Sequence, residues 1–216
     1  MTTRRQVLGG AVLGGAVLGG AAALALTGHA TGALAQDAPK LTDASPLGDV
    51  WLGAADAKVT IIEYASLTCS HCATFHKDTW PQLKAKYVDT GKVRFTLREF
   101  PLDPLATAGF MLSRCNGNAK YEAMTDMLFA QQRNWAFTEK PLDALVSLVR
   151  QAGFTQESFE ACLKRQDIYD AVQQVKNRGE KLGVSSTPTF FINGQLRSGA
   201  LSIAEFEKII DPLLGG

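Results

Sequence analysis

Val59-Thr60-Ile61-Ile62-Glu63-Tyr64-Ala65-Ser66-Leu67-Thr68-Cys69-Ser70-His71-Cys72 is the stretch whose reading decides the fold. The run Val59 to Tyr64 is β-branched, apolar and too short for a helix, so it reads as a buried strand. Ala73 to Tyr87 reads as a helix. The two thiols therefore fall where a strand hands over to a helix N-terminus. Unpaired backbone N–H groups and the positive end of the helix dipole favour an anion there. The thiolate is the reactive form of cysteine, and such a setting lowers its pKa well below about 8.5. The pair suits disulfide exchange.

Other readings of Cys69-Ser70-His71-Cys72 are weaker. A c-type haem site needs His directly after the second Cys, where Ala73 stands. A zinc or copper site could recruit Cys69, Cys72 and His76, but Cys115 and Cys162 are not spaced to complete it. A purely structural disulfide across two residues is strained at a helix start, and two idle core thiols remain conceivable. The strand–CxxC–helix setting favours redox work with no metal and no organic cofactor.

Residues 1–35 read as an export signal: Arg4-Arg5, an apolar Gly- and Ala-rich run from Val7 to Leu26, and a small-residue cleavage site at Ala33-Leu34-Ala35. The paired arginines resemble a twin-arginine signal, although Val7 and Gly9 replace its usual Phe and Lys. An ordinary secretory signal and an uncleaved membrane anchor are the alternatives to a signal cut after Ala35. Without residues 1–35 the chain holds 20 basic and 21 acidic side chains. No basic stripe argues for nucleic acid. Residues 36–57, with Pro39, Pro46 and Gly48, read as a tether ending in a short edge strand near Val50-Trp51-Leu52, too short to build an oligomer; a monomer is expected.

Val93 to Arg98 alternates apolar and polar residues and reads as a half-buried strand, parallel to the first by the handedness of βαβ units. Trp80-Pro81 predicts a kink in the helix between them. Glu63, odd in its strand, is either a strand-end acid reaching water or a buried carboxylate that tunes the thiols or relays a proton. Residues 104–182 carry helical periodicity throughout and read as four or five short helices in a separate lobe. In an exported chain, Cys115 and Cys162 are expected to pair as a structural disulfide; two buried thiols are the alternative. In residues 183–216, Thr187-Pro188 leads into a strand, Asn193-Gly194 signals a hairpin, and Ser202 with Glu205 caps a final helix.

This order resembles the thioredoxin fold, an α/β class, with an inserted all-α domain, and among its members the DsbA family of exported thiol–disulfide oxidoreductases. The stretches that carry the resemblance are Glu63-Tyr64-Ala65-Ser66 leading to Cys69-Ser70-His71-Cys72, Arg98-Glu99-Phe100-Pro101-Leu102, and Gly183 to Phe190. On that likeness residues 58–103 and 183–216 are the two halves of the thioredoxin fold. It implies Cys69 as the nucleophile and Cys72 as its shielded partner. His71 is then the group that stabilises the Cys69 thiolate, Thr187-Pro188 a cis-proline turn facing the disulfide, and Glu63 the buried acid beneath. It further implies a periplasmic enzyme that oxidises reduced or unfolded exported proteins and is itself reoxidised by a DsbB-type membrane partner. Ser70 stands where family oxidases commonly have Pro, so isomerase or reductase direction is the alternative.

Overall fold

The computed structural model describes residues 40–215. The expected export signal, its cleavage site and the start of the tether lie outside the described residues. Four strands form one sheet in the order β2-β1-β3-β4, from β1 (Val59–Ala65), β2 (Val93–Glu99), β3 (Thr189–Ile192) and β4 (Gln195–Ser198). β1 runs parallel to β2, Val59 opposite Val93, and antiparallel to β3, Glu63 opposite Phe190. The β3–β4 hairpin turns at Asn193-Gly194, both with positive φ, the conformation a two-residue turn demands.

Helix α1 follows the CxxC and is built of four consecutive pieces: Ser70–Thr74, Phe75–Thr79, Trp80–Leu83 and Lys84–Val88. The second and fourth are π-helical. The first π turn ends just before Pro81, and the Trp80 N–H there reaches back to the Phe75 carbonyl. Proline brings no N–H and crowds the carbonyl one turn behind it, and a widened turn takes up that misfit where a kink is expected. An aromatic cluster seats α1 on the sheet: the Phe75 ring lies 4.8 Å from Phe190 on β3 and 5.8 Å from Phe206. Phe206 belongs to the closing helix, Ile203–Leu214, whose N-terminus carries the Ser202–Glu205 capping box.

Between β2 and β3 the chain is helical: α2 (Pro104–Cys115), α3 (Tyr121–Ala130), α4 (Gln132–Trp135), α5 (Pro141–Val149), α6 (Gln156–Leu163) and α7 (Gln166–Lys181). The closing helix is α8. The expected helical insertion is there, in six α-helices rather than four or five with two 3-10 turns among them, and its buried residues are continuous with the core of the sheet. Buried Phe110, Leu128, Trp135 and Phe159 belong to the same apolar cluster as Ile61 and Phe190 of the sheet, while Val175 of α7 packs with Ile62, Tyr64 and Phe191 on the sheet's other face. Cys115 at the end of α2 and Cys162 of α6 are joined by a disulfide, with Cα atoms 5.9 Å apart. Its 47-residue separation corresponds to about 4 kcal/mol of stabilisation in the chain-entropy account.

β2 corrects its sequence reading. It is an edge strand, yet Thr96, Arg98 and Glu99 are buried along with its apolar residues. The tether covers it. Leu52 makes one antiparallel bridge with Phe95, which is all that forms of the expected edge strand, and Arg98 grips the tether through the carboxylate of Asp49 and the carbonyls of Leu41 and Asp43. Gly53 makes the close approach possible. Its φ is +88°, and a Cβ there would lie 2.3 Å from the Val93 carbonyl oxygen. Gly53→Ala meets both a left-handed backbone and an atom that cannot step aside, and is expected to cost about 3 kcal/mol. Urea unfolding reads this directly; a loss under about 1 kcal/mol means that the tether simply lifts away.

Candidate active site

β1 ends at Ala65, and Ser66 to Thr68 carry the chain to Cys69, the N-cap of α1. The Cys69 backbone is extended and its Sγ accepts the Cys72 N–H at 3.4 Å. The sequence thus uses a thiol where a helix ordinarily has a Ser or Asp oxygen. Both cysteines are free thiols and their surroundings are unequal: Cys72 is fully buried and Cys69 keeps 9% of its surface. The Cys69 thiol donates to the Thr187 carbonyl at 3.2 Å. The Thr187-Pro188 peptide is cis, so the turn before β3 faces the CxxC across the top of the sheet.

The unequal surroundings split the two thiols electrostatically. Cys69 is lowered from the ordinary 9.0 to about 5, chiefly because the Cys72 thiol donates to its sulfur. Burial opposes this, and the backbone N–H groups of Cys72 and His71 add to it. Cys72 is pushed well up, first by burial, then by the Cys69 sulfur and the charge of Glu63. One sulfur is poised as an accessible thiolate and the other kept as a shielded thiol. That is the asymmetry a two-step exchange needs, since a low-pKa sulfur is a good leaving group. The His71 side chain is exposed. The group His71 brings to the thiolate is its backbone N–H rather than the ring the resemblance implies.

Glu63 is fully buried on β1, which decides between its two readings. Its Oε2 lies 3.0 Å from His76 Nε2. The sequence offered His76 only as a metal ligand, four residues after Cys72. That same spacing puts it on the sheet-facing side of α1 beside Cys72, where Glu63 engages it and Phe129 of α3 stacks on its ring at 4.1 Å. Among the described residues no three His, Cys, Asp or Glu side chains come together to hold a metal. Gln132, also missed, is buried on α4 and donates through Nε2 to the carbonyls of Leu67 and Cys69, each at 2.9 Å. It ties the approach to the CxxC to the inserted helices. No local pattern signals this, because its partners lie 65 and 63 positions away.

The thioredoxin family's sequence pattern matches residues 45–212. A chain of Rickettsia bellii, provisionally named a protein-disulfide oxidoreductase, is 32% identical over 165 residues, which make up 76% of this chain and 63% of that one. This chain thus spans under two thirds of that relative. The crystal structure of Wolbachia pipientis alpha-DsbA1 is 32% identical, with a TM-score of 0.71, over 77% of this chain and 91% of that one. BdbD from Bacillus subtilis, at 20% identity, shares the fold with a TM-score of 0.68 over 78% of this chain and 93% of its own. With its CxxC at the head of α1, its cis-proline turn opposite and six helical segments between β2 and β3, this chain belongs to the thioredoxin family and, within it, to the DsbA family.

Proposed function

We propose that this protein is an exported thiol–disulfide oxidoreductase that donates its Cys69–Cys72 disulfide to reduced proteins. The observation that carries the reading is the split between Cys69, lowered to about 5, and Cys72, raised by burial. In the oxidised enzyme a substrate thiolate attacks Cys69 Sγ. The Cys69–Cys72 bond breaks, its electron pair goes to Cys72, and Cys72 takes a proton. A second substrate thiolate attacks the substrate sulfur of the mixed disulfide and expels Cys69 as its stabilised thiolate. The substrate ends oxidised by two electrons and the enzyme ends as the dithiol. The exposed edge of β4 and the Thr187-Pro188 turn offer backbone groups to an extended peptide. The signal-like residues 1–35 support a periplasmic location, where a DsbB-type membrane partner reoxidises the dithiol, and the short tether supports a monomer.

A thiol near 5 lies between the values of about 7 in thioredoxin and about 3.5 in DsbA. The potential is therefore expected between theirs, roughly −180 mV. Equilibration with glutathione buffers measures it. A value above about −200 mV supports disulfide donation, and one nearer thioredoxin's roughly −270 mV overturns that direction in favour of a reductase, with Ser70 between the thiols the first residue to exchange.

A further inference from the structure

Opening of the disulfide by substrate puts a proton on Cys72 and reoxidation of the dithiol takes it off, yet Cys72 has no exposed surface. Glu63, whose charge acts on Cys72, is itself fully buried. The site therefore needs an exit that neither residue provides. His76 supplies the next position. Its side chain is 5% exposed, with Nε2 3.0 Å from Glu63 Oε2. Its other nitrogen, Nδ1, is buried without a hydrogen-bond partner among the described residues, and it points to Asp126 on α3, whose Oδ1 lies 3.9 Å away. The Asp126 side chain is 46% exposed. His76 and Asp126 also border a cavity of about 20 Å³, lined on one side by Glu122 and Thr125 and on the other by apolar side chains that include Trp80 and Phe95, with room for a single water.

We propose that Glu63, His76 and Asp126 form a path along which the Cys72 proton enters and leaves the buried site. This deepens the exchange function and rests on it. Imidazole suits the middle position because it can take a proton at one nitrogen while giving one from the other. Phe129, stacked on the ring at 4.1 Å, fixes the plane that lets the two nitrogens face Glu63 and Asp126 at once. The charged and titratable groups around His76 are Glu63 on β1, Asp126, Glu122 and Tyr121 on α3, Cys72 one turn back, and Lys84 further along α1, whose charge reaches Asp126. Burial raises both Asp126 and Glu122, which brings the outer acids closer to the range in which they exchange protons at neutral pH. His76 and Asp126 act through Glu63 and are positioning residues.

The test uses the reduced protein and an aromatic disulfide, dithiobis(nitrobenzoate), whose coloured thiolate stays unprotonated at neutral pH. Cys69 thiolate attacks first and releases one coloured thiolate. Cys72 then closes the Cys69–Cys72 bond, releasing the second together with one proton. His76→Gln keeps a hydrogen bond to Glu63 and cannot relay. It is expected to leave the first phase within about twofold and to slow the second roughly 10²-fold. Its second phase should climb about tenfold per pH unit as hydroxide takes over, against a shallower profile in the parent. Asp126→Asn, at a half-exposed position, is expected to slow the second phase roughly tenfold and covers the case in which His76→Gln does not fold. A second phase within about twofold of the parent in the variants that fold overturns the path, as does equal slowing of both phases. If the parent itself releases no first thiolate, the exchange function fails and the path with it; a reactive parent with unaffected variants overturns the path alone.

Discussion

Under reducing conditions the stability advantage of the parent over Cys69→Ser is expected to shrink by about 1.4 kcal/mol for each pH unit between pH 9 and pH 5. Folding lowers Cys69 from 9.0 to about 5, so the folded chain holds a thiolate where the unfolded chain holds a thiol. The contribution is fully present above the unfolded value and is lost as pH falls through about 5. Over the whole window this amounts to roughly 5 kcal/mol, comparable to the total stability of many domains. Cys72 does not blur the window, because burial keeps it protonated in the folded state. Only above pH 9, where an unfolded Cys72 ionises, does it begin to work against folding. Urea unfolding of both proteins at several pH values separates this from every group the two share. A difference that stays flat with pH removes the thiolate from the account of the site, and with it the expectation of an oxidising potential.

The elements that hold this thiolate were legible to very different degrees. β1, the CxxC and the start of α1 follow from a β-branched run meeting a helical pattern, and the β3–β4 hairpin from Asn193-Gly194. The Ser202–Glu205 box marks α8 for the same reason: each signal lies within a few residues of what it specifies. Glu63 was visible as an acid out of place in its strand, but whether it reached water depended on His76 and on the inserted helices. Gln132 and Phe129 were not visible as site residues at all, since nothing near them in sequence indicates that they meet Leu67, Cys69 or His76. β2 was misread in the opposite way. Its alternation is real, but Thr96 lies opposite Ile62 on the face where Val175 of α7 packs, and Arg98 is covered by a tether that local pattern assigns to solvent.

Arg114→Met is the second large effect, expected to cost about 3–5 kcal/mol. Glu99, at the end of β2, is fully buried, and Arg114 of α2 is 5% exposed. Arg114 Nε donates to Glu99 Oε1 at 2.6 Å, and Nη1 donates to the Gly48 carbonyl and Asn118 Oδ1. The guanidinium lies 3.7 Å above the ring of Tyr121. One residue thus joins β2, α2, the tether and the start of α3. Removing it leaves a carboxylate in the interior with no cation beside it, and that uncompensated charge, rather than the lost contact, sets the size of the effect. The double variant Glu99→Leu with Arg114→Met removes charge and counter-charge together and is expected to recover roughly half the loss, since apolar groups commonly replace a buried ion pair at little cost. The residual deficit is then the Gly48 and Asn118 hydrogen bonds, about 1 kcal/mol each. Urea unfolding with the Cys115–Cys162 bridge intact measures all three proteins. Single and double variants that lose the same amount would show that the arginine matters as a tie between elements and not as the counter-charge of Glu99.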